Sequence, residues 1–527
     1  MKKIILIIFL FNIFTYAQEG NQSVELPDFV ITGNEQVKLP ILKKKRPKLI
    51  TTLSQEFFLP TPDAGSISIV NFDNPLKKQI QLKKSEHTYD GKLIVTSGMY
   101  TLPYGKFIFD KNIKHVLLHL NVYGSNETDY KPLAGYNVSG GEAAVSFFVS
   151  KNSKFLPGLK IRTFVDGYRD SYHLFATERK SKRETKGGNA GINLEYKLNK
   201  SANFGINGSG NLLSDKTSGL TSNKYTLNAE SQLSLQNVGI SVKGTFIRLS
   251  TKSNLIKSYN KNYLNATATI DVKSMRSFNA KFGTVVSYFG SDLFLSPIAS
   301  FQLEVDKNIF MFAEYNPFTQ FISSNDHLKK NRYIDFNTGQ YNYIKHTSFF
   351  KLAFKYEHFK MFEIGAGILL ESISGLPYYQ DKSFSGKYEI FEISKAKRNG
   401  AFLSVMFHPN YWGQFYSELT FSNTRNEESN VVPYYPLVSV NSVYTYDFKF
   451  GLQSEILFDY YSQIYSDISN SNKLPDYINL SLNLKYKLSS KVKLLLSGNN
   501  LLNRDNFLLN GYLLKPFEVV GGIEYRW

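Results

Sequence analysis

Eight histidines and no cysteine set the first limits on what this chain can do chemically. Without a thiol there is no disulfide, no thiolate metal site and no cysteine nucleophile. The one suggestive histidine pair, His115 and His119 in HVLLH, lacks the glutamate of a zinc-protease helix. On a strand the two would share a face about 13 Å apart, too far to hold one ion. No Walker loop, G-x-S-x-G elbow or dinucleotide-binding glycine pattern occurs. What remains is a set of charges on alternate positions. In VYTYDFKFGLQSEILFDY, Asp447, Lys449 and Glu455 lie between Tyr446, Phe448 and Ile456; in YINLSLNLKYKL, Lys485 and Lys487 lie between Leu484 and Tyr486. Charges on one face of a strand can line a lumen and set its selectivity. The expectation is a protein with no catalytic residue, no cofactor and no metal, and with these five side chains facing a lumen.

The elements that must carry those charges are two-faced strands. Ile478, Leu480, Leu482, Leu484 and Tyr486 form one face, Asn479, Ser481, Asn483, Lys485 and Lys487 the other; after a turn at Ser489-Ser490, Val492, Leu494 and Leu496 resume the apolar face. Similar pairs turn at Gln236-Asn237 and near Asn199-Lys200. A membrane barrel needs strands of about 9–11 residues, whereas sandwich strands average nearer five or six. With 35 Tyr and 42 Phe, the chain is aromatic, yet its mean hydropathy is only −0.26. Lipid-facing and lumen-facing residues that cancel along each strand produce that combination. No stretch after the N-terminus is long and apolar enough for a membrane helix. The reading is an all-β, antiparallel, up-and-down transmembrane barrel of about 22 strands (range 20–24). Short turns would face the periplasm, and long polar loops such as NLLSDKTSGLTSNK and SSNDHLKKNRYIDFNTGQYNYIKH would face outward. The net charge of +18 is spread over turns, loops and alternate strand positions. That argues for an anion-favouring lumen or rim and against a nucleic-acid partner.

The two ends add detail. MKKIILIIFLFNIFTYAQEG has the charged start, short apolar core and small-residue site of a cleaved signal peptide. The organisation expected is a signal peptide at 1–17, a flexible periplasmic segment at 18–90 and the barrel at 91–527. At the other end, FEVVGGIEYRW alternates throughout. Phe517, Val519, Ile523, Tyr525 and Trp527 fall on one face, as in a closing strand that leaves no edge in lipid.

The last 55 residues resemble the C-terminal barrel of TonB-dependent outer-membrane receptors. The matching stretches are Leu474-Pro475-Asp476-Tyr477, the N-L-x-N-R motif Asn500-Leu501-Leu502-Asn503-Arg504, then Gly511-Tyr512, and an aromatic end at Tyr525 and Trp527. ELPDFVITG is similar to a Ton box, with Glu25, Phe29, Val30, Ile31, Thr32 and Gly33 at the defining positions. Such a segment could pair edge-on with a periplasmic sheet. The resemblance implies an outer-membrane location in a Gram-negative cell and passage of a solute. It also implies that the aromatic terminus is read by the barrel assembly machinery, and that the partners are outer-membrane lipid and TonB. One departure stands out: only about seventy residues separate the signal peptide from the first strand, and the receptors' plug motifs are absent from them. A passive porin, or a scaffold barrel docking a surface lipoprotein, therefore stands beside the transporter. Substrate and oligomeric state are left open.

Overall fold

The computed structural model describes residues 90–527, apart from 151, 178–180, 200, 236, 255–256, 275–277, 337–340, 359–360, 384, 409–411 and 449. The expected signal peptide, the Ton-box-like stretch from Glu25 to Gly33 and Lys449 lie outside the described residues.

Alternation along the chain becomes a wall with two faces. Each strand pairs antiparallel with its neighbours in sequence. The first, Gly91–Gly98, pairs with Thr101–Ile113 on one side and with the last, Glu518–Arg526, on the other. The register of that closure runs from Lys92 opposite Arg526 to Gly98 opposite Val520. The sheet therefore has no free edge, which is what a lipid environment demands of β-structure. The barrel has 22 strands, Ile309–Tyr315 and Phe318–Phe321 being two halves of one strand that pair with the same neighbour, Tyr343–His358. Pro317 separates the halves, because it has no N–H to give the ladder. The neighbour shifts register between His346 and Ser348, opposite that gap.

Large apolar side chains stand exposed on alternate positions all round the outer face, among them Leu93, Val122, Ile206, Phe246, Leu370 and Ile523. A continuous apolar surface of this extent belongs in hydrocarbon rather than water. At the end that carries Gly91 and Trp527, the turns are short, as between Lys487 and Val492. Trp527 packs there on Phe107 and Tyr525, tying the terminus across the seam.

The structure corrects three expectations. VYTYDFKFGLQSEILFDY folds as a hairpin, Val438–Asp447 and Leu452–Tyr461, turning through Gly451 at φ +90°. Its four-residue turn preserves parity, so Asp447 and Glu455 keep the expected face. NLLSDKTSGLTSNK is strand except for a tight turn at 216–219. Many strands also exceed the expected length: Phe362–Gln380 and Glu389–Phe407 have 19 residues each. Their surplus continues past the apolar band at the far end, where Gly375 to Tyr379 are buried on both faces. Loop packing, rather than lipid thickness, sets that length.

Candidate functional site

Two features could act on a solute: the inner wall, and a cap of loops over the end opposite Gly91 and Trp527. Asp447, Glu455, Lys485 and Lys487 share the inward face. Gln453 stands opposite both Asp447 and Lys485, and Asn483 Nδ2 donates to Glu455 Oε1 at 2.8 Å. Elsewhere on the wall the charges are matched, as in Arg162–Glu142 at 3.0 Å, Lys281–Asp271 at 3.6 Å and Lys355–Glu363 at 3.1 Å. Higher up, Glu371, Arg398 and Thr424 are consecutive cross-strand partners in one inward row. Glu371 bonds His346 Nδ1 on one side and Arg398 Nη1 at 2.9 Å on the other, all almost fully buried. A carboxylate this deep is tolerated because it is held between such donors.

The cap was not expected from the sequence. Loops from distant parts of the circumference converge on one apolar core. Tyr333, from the 322–342 loop, stacks on Tyr512 with ring centroids 3.5 Å apart and planes at 16°. Phe175, from the loop after Lys160–His173, lies edge-on to both. Tyr388 donates to Asn510 O at 2.9 Å, and Tyr512 donates to Gly386 O. The loops bearing Phe175 and Tyr388 arise ten strands apart in a ring of 22, nearly opposite one another, so these contacts span the mouth. Burial pushes the phenols of Tyr388, Tyr434 and Tyr512 well above their ordinary value and keeps them protonated as donors.

The 322–342 loop is the cap's central piece. It contains a short helix, α1 (Ser324–Lys330), started by a reciprocal capping box between Ser323 and Asp326. α1 reaches across to strands far from its own: Tyr168 donates to Asn325 Oδ1 at 2.9 Å, and Lys224 stands 3.4 Å from Asp326. Arg332 grips Asp170 through two bonds of 2.8 and 2.9 Å and lies over the Tyr172 ring at 4.0 Å. Buried Arg183, 3.5 Å from Asp215, donates to Ile334 O at 2.7 Å. His327 is fully buried, with Nε2 donating to Tyr341 O at 2.8 Å and Nδ1 3.0 Å from the Tyr379 hydroxyl. Burial lowers its pKa to about 4, so the ring is neutral at pH 7.

The C-terminal motif residues build the last loop of this cap. Asn500 and Asn503 adopt left-handed φ of 47° and 46°, conformations asparagine tolerates. Asn500 Nδ2 donates to Arg504 O and Lys515 O, and Asn503 Oδ1 accepts from the Phe517 amide. Arg504 lies 3.4 Å from Asp476, Leu501 is exposed, and Gly511 at φ +82° turns Tyr512 into the core. Val519, Ile523 and Tyr525 face outward on the closing strand, whereas Phe517 precedes it. His119 bonds Asp110 at 2.7 Å, and exposed His115 sits in the preceding turn, so the two do not converge. Among the described residues, no three potential ligands gather to hold a metal. The cap residues that sequence reasoning missed had one signal. Tyr333, Ile334, Phe336, Tyr388 and Tyr434 are apolar residues without strand periodicity, lying in stretches too polar to span lipid.

No protein-family model matches the sequence, and no curated protein matches it. Solved structures do. The FrpB iron transporter of Neisseria meningitidis aligns with TM-score 0.67 at 11% identity, over 84% of this chain and 82% of its own. The siderophore receptor PirA of Acinetobacter baumannii gives 0.65 at 10%, over 84% and 81%. The copper transporter OprC gives 0.62 at 10%, over 84% and 82%. At such identity the likeness establishes the fold: this chain forms the 22-strand barrel of the TonB-dependent siderophore and metal receptors that its C-terminal motifs resemble.

Proposed function

We propose that the protein lies in an outer membrane and admits or transports a solute through its lumen, with the loop cap as the gate. The cap faces the exterior in this reading, and the end that carries Gly91 and Trp527 faces the periplasm. The observation that carries it is the pairing of a closed barrel, apolar outside and charged inside, with a mouth spanned by loops. A barrel serving only as a membrane anchor has no need of a polar bore. The named relatives are transporters and receptors of iron, siderophores and copper, and transport is carried over to this chain as a class, without their ligands. Energy coupling would run through the stretch from Glu25 to Gly33, offered as a strand to the TonB sheet.

The test is single-channel recording of the refolded protein in a planar bilayer, in three forms: mature, lacking residues 18–90, and carrying Tyr333→Ala with Tyr512→Ala. The first two are expected to stay closed, because the contacts that span the mouth are made among the loops themselves. The double variant is expected to conduct. A double variant that is folded but silent overturns the pathway reading and favours the scaffold barrel.

A further inference from the structure

The seam of the barrel carries an imbalance of charge that the matched pairs elsewhere on the wall do not. Lys92 stands directly opposite Arg526, and Lys487 directly opposite Lys493. Direct cross-strand neighbours have Cβ atoms about 4.5–5.5 Å apart, and like charges there destabilise the sheet. A single lateral row runs Lys106, Ile94, Glu524, Lys493, Lys487 across five adjacent strands. Lys485 lies one inward step above it on the strand of Lys487. All face the lumen near the end that carries Gly91 and Trp527.

Two carboxylates lie close by, and both are engaged. Glu524 is held by Arg526 at 2.6 Å, and Glu455 by Asn483. Asp447 is separated from Lys485 by the strand bearing Gln453. Asp110, on the strand of Lys106, is taken by His119. Among the described residues, Lys92, Lys106, Lys485, Lys487 and Lys493 form no ion pair. Two cation pairs in direct register on the inner face are complementary to negative charge arriving from the lumen.

We propose that this sector is a binding site for a multivalent oxyanion, of the class of phosphates and polycarboxylates. Lys487 and Lys493 would grip it from one side of Glu524, and Lys106 and Lys92 from the other. Glu524 orients Arg526 and spaces the two cation pairs, so an anion with two charged groups fits better than one with a single charge. As the class of solute carried, this rests on the reading of the lumen as a pathway; as a binding site it does not.

The experiment is calorimetric titration of sodium pyrophosphate into the refolded mature protein in detergent, with sodium chloride at matched ionic strength as the control. One site is expected, and Lys487→Gln with Lys493→Gln should weaken binding at least tenfold. Without pyrophosphate, the thermal midpoint of that variant should equal or exceed the wild type, since a repulsion has been removed. Lys154→Gln, in an exposed turn, should bind as the wild type does. If the wild type takes up no pyrophosphate, or chloride reproduces the heat, or the double variant binds equally well, the site does not exist. None of these outcomes bears on whether the Tyr333/Tyr512 variant conducts, so the two readings fail separately.

Discussion

Glu371 shows how much one side chain can carry inside the bore. It pairs with Arg398 and bonds His346, and all three are almost fully buried. Glu371→Gln removes the carboxylate that pairs with Arg398, and breaking such a buried pair typically costs about 3–5 kcal/mol. Denaturant unfolding in micelles should show that loss, and an unchanged midpoint would mean the row is not a stabilising unit. His327 makes the cap sensitive to acid. Its pKa falls from 6.5 in the unfolded chain to about 4 when folded. Between those values the unfolded state binds a proton that the folded state refuses. The stabilisation is therefore complete above pH 6.5 and is lost as pH falls toward 4, by roughly 3 kcal/mol in all at 1.36 kcal/mol per unit. Amide exchange across 322–342, corrected for its intrinsic pH dependence, should accelerate over that window. His327→Phe should abolish the trend, and exchange that ignores pH would contradict this account.

At the scale of the element, closure depends on how near the first and last strands can come. A Cβ on Gly522 would fall on Val95 O and Thr96 Cγ2 of the first strand, whereas one on Gly521 meets nothing within 4 Å. Gly522→Val should therefore reduce the fraction of heat-modifiable, folded band on electrophoresis, and Gly521→Ala should leave it unchanged. Equal behaviour of the two would show that the seam tolerates separation. Strands such as Tyr477–Lys487 were legible because period-two alternation is imposed by the wall itself: one face meets lipid and the other does not. The cap was not legible for the complementary reason. Its residues come from loops with no period, and the contact between Tyr333 and Tyr512 joins positions 179 residues apart that only the closed ring brings together. The length of Phe362–Gln380 was missed for the same cause, since loops cover its upper part. Inward-facing charges were readable from parity alone, but the opposition of Lys487 to Lys493 required a register.

For the molecule as a whole, the sequence yields a barrel of the right size and leaves the state of its mouth undetermined, because closure of the mouth is a property of eight loops acting together. Their shared core lays apolar side chains across the mouth, and the proposed gate rests on that layer. The measurement that tests this most directly is the conductance of the refolded mature protein in a planar bilayer beside its Tyr333→Ala/Tyr512→Ala variant. A silent wild type and a conducting variant are the predicted result. A wild type that conducts steadily would contradict it, because the mouth would then be open with its loops intact.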